Sequence, residues 1–347
     1  MNFSNLIIDW YILNKRDLPW RNTTNPYKIW LSEIILQQTQ VKQGLPYYES
    51  FTKAFPTVEL LAKAEEDDVL KLWQGLGYYS RARNLHFAAK QIIEWGSFPN
   101  QYDSILKLKG VGEYTAAAIS SFAFKLPHAV VDGNVFRLLS RFYGIDIPIN
   151  SSKGKSHFFK LANTILDKTQ PDTHNQAIME FGSQVCKAKK PNCEICVLCE
   201  NCVAFNTNSI NEYPVKIKKN SIKSIYFDYF FFKYKNLTFV KKRTQNGIWK
   251  NLFEFPLIEN EKQISEEEII ESIQFKEWSH KLKLEVNSVH SFKHILSHRV
   301  IYARFWEIDC SSEIQNEHFQ SIKIEDINRL AVSRLTEKYL KRLVQPI

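Results

Sequence analysis

Apolar residues along this chain change their spacing once. Up to about residue 205 they recur at intervals of three and four, the period of one helical face. That pattern predicts helices over Ile7–Leu13, Pro26–Val41, Val58–Ala64, Asp67–Gly75, Arg81–Trp95, Ser156–Leu166 and Gln176–Val185. Asn25-Pro26 is a start signal and Phe98-Pro99-Asn100 a break. The stretch Tyr213-Pro214-Val215-Lys216-Ile217-Lys218-Lys219-Asn220-Ser221 is polar, basic and without period. Beyond it the pattern is that of strands, at Ile225–Phe232, Leu237–Lys241, Leu282–Val289 and Arg299–Ile308, rich in aromatic and β-branched residues. Helical spacing returns at Ser265–Ile273 and Thr336–Val344. The expected organisation is a mostly α domain over residues 1–212, a linker over 213–222 and an α+β domain over 223–347.

The chain has 347 residues, enough for two domains with real cores. Lys and Arg number 46 against 37 Asp and Glu, a net charge of +9, which favours a polyanionic partner without requiring one. The N-terminal stretch from Met1 to Trp10 lacks the basic start and small-residue cleavage site of a signal peptide. Apolar runs stay short of membrane-spanning length, so the expectation is a cytoplasmic protein, nucleoid-associated in a bacterium, with no membrane contact.

Two helical patterns, Asp103–Lys107 and Glu113–Ala123, flank Leu108-Lys109-Gly110-Val111-Gly112. Gly110 and Gly112 are expected to supply positive φ in a tight hairpin. Such a hairpin frees N–H groups at a helix N-terminus, an anion site that suits a DNA phosphate. A plain glycine-capped connection between helices is the other reading. About twenty residues on, Asp132 of Val131-Asp132-Gly133-Asn134 stands at the expected N-cap of a helix over Asn134–Phe142, where free N–H groups favour the ionised carboxylate. Glu33 has the opposite setting. Its helical neighbours Ile29, Trp30, Leu36 and Gln37 are mostly apolar, and desolvation raises a carboxyl pKa as a general acid requires. A buried ion pair with Arg21 is the alternative for Glu33, and a simple cap the alternative for Asp132. One carboxyl kept neutral and one kept charged is an arrangement for breaking a glycosidic bond.

Five of the six cysteines, Cys186, Cys193, Cys196, Cys199 and Cys202, fall within seventeen residues. In a reducing compartment such crowding indicates metal ligation, and the spacing suits thiolates around an iron–sulfur cube better than two separated zinc pairs. Lys187, Lys189 and Lys190 make the same loop basic. Cys310, alone in a strand pattern, reads as a small buried hydrophobe.

Several segments occur in one order: Trp30-Leu31-Ser32-Glu33 with Gln37-Gln38-Thr39-Gln40-Val41, then Gly75-Leu76-Gly77-Tyr78-Tyr79-Ser80-Arg81-Ala82-Arg83-Asn84-Leu85, the hairpin, Val131-Asp132-Gly133-Asn134-Val135 and the cysteines. As a set they resemble adenine DNA glycosylases of the MutY type, densely over residues 7 to 205 and more loosely beyond. The resemblance implies a helix-hairpin-helix glycosylase domain followed by a Nudix-like domain. It implies that Glu33 protonates a flipped adenine, that Asp132 stabilises the sugar cation, and that Tyr114 and Asn134 order the site around Asp132. It selects Cys186, Cys193, Cys196 and Cys202 as ligands of one 4Fe–4S cluster and leaves Cys199 spare. Gln38 and Tyr78 would wedge and stack at the lesion, Gly110, Val111 and Gly112 would meet DNA, and Leu18, Trp20, Arg21 and Val41 would line the adenine pocket. For Tyr78 and Trp20 a place in the core is the alternative.

Tyr114 separates this family from its endonuclease III-type sisters, which carry an imine-forming lysine there, and Phe136 supplies no amine either. In the second domain, Phe292-Lys293-His294-Ile295-Leu296-Ser297-His298 resembles the loop that reads 8-oxoguanine opposite the adenine, with Leu296 where the family has Phe and with Ser297 and His298 kept. Gly247-Ile248-Trp249 and Phe253-Glu254-Phe255-Pro256 fit a Nudix-like fold without the hydrolase metal signature. The implied function is monofunctional removal of adenine from A:8-oxoguanine or A:G mispairs in double-stranded DNA, by a monomer. A bifunctional lyase and a non-catalytic DNA-binding redox sensor are the rivals. Tyr114 argues against the first and a buried Glu33 against the second.

Overall fold

The computed structural model describes residues 3–217, 222–280 and 282–344, so 218–221 of the expected linker lie outside the described residues. Two compact units form, one from residues 1–63 with 84–219 and the other from 64–83 with 220–347.

The helices run in chain order as α1 (Phe3–Asn14), α2 (Pro26–Leu36), α3 (Val41–Ala54), α4 (Val58–Lys63), α5 (Glu66–Leu72), α6 (Ser80–Glu94), α7 (Tyr102–Ile105), α8 (Glu113–Phe124), α9 (Gly133–Tyr143), α10 (Ser152–Ile165), α11 (Pro171–Gln184) and α12 (Val203–Asn206). In the first unit α11 is central, packing on α1, α8 and α9. Ile7, Leu139, Phe158, Ala177 and Phe181 form its shared core. Helix α8 packs on α2 as well, and its buried Ala116, Ala117 and Ala118 let neighbouring helices approach closely.

The single helix expected over Pro26–Val41 is two. Asn25 caps α2 by accepting from Lys28 N at 3.1 Å, and Pro26 follows at the first turn. The helix stops at Leu36 because Gln38 turns to a positive φ of 57° and Gln40 is extended. Helix α3 then begins at Val41. Gly44 and Pro46 inside it blur its apolar spacing and hide it from periodicity.

The second unit is built on strands β1 (Lys223–Tyr234), β2 (Leu237–Lys242), β3 (Phe253–Glu254), β4 (Leu257–Asn260), β5 (Leu284–Ile295), β6 (Arg299–Cys310) and β7 (Gln320–Lys323), with helices α13 (Glu266–Ile270), α14 (Ile273–Trp278) and α15 (Arg334–Val344). The sheet order is β3-β2-β1-β6-β5, with β4 also on β1 and β7 on β2. Among the strand pairs of the described residues only β1–β6 is parallel, in the register Tyr229↔Phe305. Residues Phe227 to Phe232 are all buried, because both faces of β1 are covered. Phe227, Tyr229 and Phe231 join Leu335 and Tyr339 of α15 on one face, while Phe230 and Phe232 join Phe275 and Trp278 of α14 on the other. The helix expected over Ser265–Ile273 is broken into α13 and α14, since Ser272 caps a new start by accepting from Phe275 N. Cys310, at the end of β6, is half-buried against this second face rather than fully buried.

Segment 64–83 belongs with this sheet. Lys242 pairs with Asp67 at 2.5 Å, Tyr79 donates to the Val332 carbonyl at 3.1 Å, and Arg83 to the Lys250 carbonyl at 2.8 Å. The middle of the sheet also holds a charge. Asp228, almost fully buried, accepts from Arg304 Nε at 2.6 Å and Trp306 Nε1 at 3.0 Å. Removing one member of such a pair leaves the other uncompensated. Asp228→Ala should therefore destabilise this unit by about 3–5 kcal/mol in urea unfolding. A change within about 0.5 kcal/mol, the scale of a surface substitution, would show that the pair contributes nothing.

Candidate active site

A cavity of about 700 Å³ opens in the first unit and gathers residues from distant parts of the chain. Glu33 reaches it from α2, Tyr114 from the start of α8, and Asp132 with Asn134 from the start of α9. Leu18, Trp20, Arg21 and Val41 line the same space, and Gln38 stands at its rim, exposed. Trp20 meets Tyr48 edge-on at 5.1 Å, so it is a core aromatic and a cavity wall at once.

Glu33 is buried, and burial pushes its carboxyl up to about 7, with the neighbouring Asp132 charge adding to the rise. A hydrogen bond with the Tyr114 hydroxyl and the more distant Arg21 charge work the other way. Arg21 is not the ion-pair partner of Glu33. Its Nη2 donates to Glu180 Oε2 at 2.7 Å, and Arg16 donates to the same carboxylate at 2.6 Å. Burial alone would raise Glu180, but the two guanidiniums hold it far below the usual carboxylate range. Glu180 lines the cavity and sequence reasoning missed it, although Ile178-Met179-Glu180-Phe181 carries the same signal of a carboxyl in an apolar helical setting.

Asp132 caps α9, accepting from Asn134 N and Val135 N at 2.8 Å each and from Asn134 Nδ2 at 2.7 Å. Desolvation raises its pKa, against the expectation from the helix terminus alone, while these three donors and Arg137 oppose the rise. The Asp132 charge in turn adds to the rise at Glu33. The Tyr114 hydroxyl engages Glu33 and donates to Met179 Sδ at 3.6 Å, and the Asp132 charge adds to the rise in its pKa. Asn134, which donates to Asp132, also accepts from Arg137 Nη2 on its Oδ1 at 2.9 Å. Arg137 Nε in turn donates to the Cys186 carbonyl at 2.7 Å, tying the carboxylate to the cysteine loop.

In the hairpin only Gly110 has a positive φ, 80°, and a Cβ there would lie 2.6 Å from Asn84 Cβ. Gly112 is extended and opens α8 as an N-cap with no side-chain acceptor, and nothing lies within 4 Å of where its Cβ would be. Val111 is buried, so only its backbone can face a ligand.

All five loop cysteines are free thiols lining one small cavity beside Arg141, which donates to Cys186 Sγ at 3.5 Å. Burial pushes Cys196 up to about 12 and raises Cys193 and Cys202, with mutual repulsion among the thiols adding to it. Among the described residues no three His, Cys, Asp or Glu side chains converge on one ion.

In the second unit Ser297 and His298 occupy the exposed tip of the β5–β6 hairpin. Phe292 to Ile295 lie in β5 itself, and Leu296 turns back onto the core. The Ser297 hydroxyl hydrogen-bonds the Tyr78 hydroxyl. Tyr78 has a φ of 47°, is 46% exposed, and has the Arg81 guanidinium 5.7 Å from its ring centre.

Residues 31–162 match the model of the HhH-GPD superfamily base excision DNA repair protein, and residues 229–342 that of the NUDIX domain. An adenine DNA glycosylase of Buchnera aphidicola subsp. Baizongia pistaciae is 39% identical over 304 residues, covering 86% of this chain and 84% of that protein. The chain belongs to the adenine DNA glycosylase family. Its members are enzymes that hydrolyse N-glycosyl bonds. The Homo sapiens adenine DNA glycosylase is 40% identical over 205 residues, 56% of this chain and 38% of that one. The solved structure of a thermostable thymine-DNA glycosylase, 29% identical, superposes with a TM-score of 0.55 over 59% of this chain and 95% of that chain. No helix among the described residues is long and apolar enough to cross a membrane.

The raised Glu33 carboxyl has a consequence for stability. The folded chain keeps a proton that the unfolded chain releases above about 4.5, so stability declines as pH rises from there through about 7, then levels off. Glu33→Gln removes this decline. At pH 8 the variant should be more stable than the parent by up to about 3 kcal/mol, at 1.36 kcal/mol per pH unit, and the gap should close near pH 4.5. Urea midpoints that differ equally at both pH values would refute the assignment.

Proposed function

We propose that the chain removes adenine paired with 8-oxoguanine or guanine in duplex DNA, hydrolysing the N-glycosidic bond after the nucleotide has turned out of the stack. The observation that carries this reading is the convergence on one cavity of Glu33, its carboxyl pushed up to about 7, and Asp132, held by N–H donors at the start of α9. Glu33, protonated near neutrality, gives its proton to the adenine, so that the base leaves neutral. Asp132, ionised and held by three N–H donors, faces the positive charge that develops on the sugar. Leu18, Trp20 and Val41 supply apolar walls for the base, and Arg21 a polar edge. Gln38 wedges into the stack from the rim. Tyr114 and Phe136 offer no amine at the positions where an imine would form, so base removal proceeds without strong lyase activity.

Cys186, Cys193, Cys196 and Cys202 would hold one 4Fe–4S cluster. The donor set fits, since free thiols surround a common cavity. Bound there, the cluster would cross-link the loop and draw its thiols into the ionised form. Lys187, Lys189 and Lys190 would then present a fixed basic surface to backbone phosphates, as Gly110, Val111 and Gly112 would with their N–H groups. In the second unit, Ser297 and His298 would hydrogen-bond the oxidised purine while Tyr78 stacks on it. The enzyme would work as a monomer on chromosomal DNA in the cytoplasm.

Single-turnover release of adenine from an A:8-oxoguanine duplex tests the chemistry. Strand scission should appear only after alkali, and the rate should fall about tenfold per pH unit above about 7 as Glu33 loses its proton. Glu33→Gln and Asp132→Asn should each lose about 10²–10⁴-fold while still binding DNA. A loss of only two-fold in either variant would remove that residue from the mechanism.

Recognition of the opposite base is tested separately by replacing Ser297 and His298 with Ala. Selectivity for 8-oxoguanine over guanine should drop about ten- to one-hundred-fold, as two lost hydrogen bonds imply, with the A:G rate unchanged. Unaltered selectivity would place lesion reading outside the β5–β6 tip.

A further inference from the structure

Cys199 has no task in the four-ligand set, yet its backbone setting copies that of a ligand. Cys193-Glu194-Ile195-Cys196 and Cys199-Glu200-Asn201-Cys202 repeat the tetrapeptide Cys-Glu-x-Cys. They also fold alike. Each opens a 3₁₀ turn, Cys193–Ile195 and Cys199–Asn201. Each closes with the last cysteine's N–H on the first one's carbonyl, at 3.2 Å and 3.1 Å. Each ends on an extended cysteine, with φ −81° and ψ 116° at Cys196 and φ −83° and ψ 112° at Cys202. A further bond, Cys199 N to Cys196 O at 3.1 Å, joins the two turns. Side chains three residues apart eclipse in such turns, which brings the two thiols of each turn to one side. With Cys186 they line the same cavity. Cys199 is to Cys202 what Cys193 is to Cys196.

We propose that Cys199 is a reserve ligand, taking the place of Cys202 when that iron–sulfur bond opens or that residue is lost. The inference rests on the four-iron cluster reading above. In the exchange the iron–Sγ bond of Cys202 breaks with its electron pair on sulfur, the Cys199 thiol passes its proton to that thiolate, and the Cys199 sulfur bonds the iron. No oxidation state changes. Because both cysteines belong to one hydrogen-bonded turn, the exchange needs side-chain rotation and a small tilt of that turn, not a rearrangement of the loop.

The experiment compares iron content and visible absorbance of the full chain and its variants, purified without oxygen. The parent and Cys199→Ser should each carry about four irons per chain. Cys202→Ser should keep most of that iron with an altered visible spectrum, whereas Cys199→Ser combined with Cys202→Ser should lose nearly all of it. Challenge with an iron chelator gives an independent readout that needs no change at position 202. Iron should leave Cys199→Ser several-fold faster than the parent, because an opened position is no longer refilled. If Cys202→Ser does not fold, these release rates decide alone. A Cys202→Ser protein as empty as the double variant, or equal release rates, would overturn the proposal. A colourless parent would instead overturn the cluster reading, so the two failures are distinguishable.

Discussion

What the cavity can do depends on keeping water from one carboxyl. Glu33 is buried on α2, which packs on α8, so its charge is poorly solvated. Neutralisation is the cheapest response of a carboxyl so placed, and the Asp132 charge across the cavity reinforces it. Desolvation raises Asp132 as well, but α9 begins on it and supplies N–H donors that oppose the rise. Where the helices start and how they pack thus give two carboxyls of nearly equal intrinsic acidity different surroundings.

The same division of labour governs the basic residues. Arg16 and Arg21 are spent on Glu180, which leaves Glu33 without a cationic partner at bonding distance. Had either arginine turned to Glu33, its carboxyl would have been held low and the proton lost well below neutrality. Selecting one buried glutamate for the ion pair and another for the proton is a property of the three-dimensional arrangement. No local sequence window contains it, since residues 16, 21, 33 and 180 meet only after folding.

Sequence was therefore informative about elements and chemistry where a local pattern carried them, and blind where long-range pairing did. The helical unit, the central strands β1 and β6 and the hairpin were legible from period and punctuation. Helix α3 was not, because Gly44 and Pro46 obscure its spacing, and neither were the short strands β3, β4 and β7, which exist through pairing with longer ones. The pattern placed Glu33 in an apolar setting, but could not show that Arg21 turns elsewhere or that Tyr114 faces Glu33. Segment 64–83 reads as helical and so as part of the helical half, yet its side chains bond to the sheet. Leu296 was legible only as a departure from the family's Phe. Its turn into the core explains why an aliphatic residue serves, since burial there asks for apolar volume and not for a ring.

Backbone strain follows the same logic. Gln38 and Tyr78 both adopt positive φ, which costs a non-glycine residue roughly 1–3 kcal/mol and persists only where the surroundings fix it. At Gln38 the fixing element is the stop between α2 and α3, with Thr39 N bonded to Leu36 O at 3.1 Å. At Tyr78 it is the bond to Ser297 and the guanidinium of Arg81 beneath the ring. Each side chain is consequently projected outward from a rigid base, exposed but not free to fold back onto the surface. The conformational entropy of ordering these side chains is thus lost at folding. Strain at both positions is borne by packing that the rest of each unit supplies.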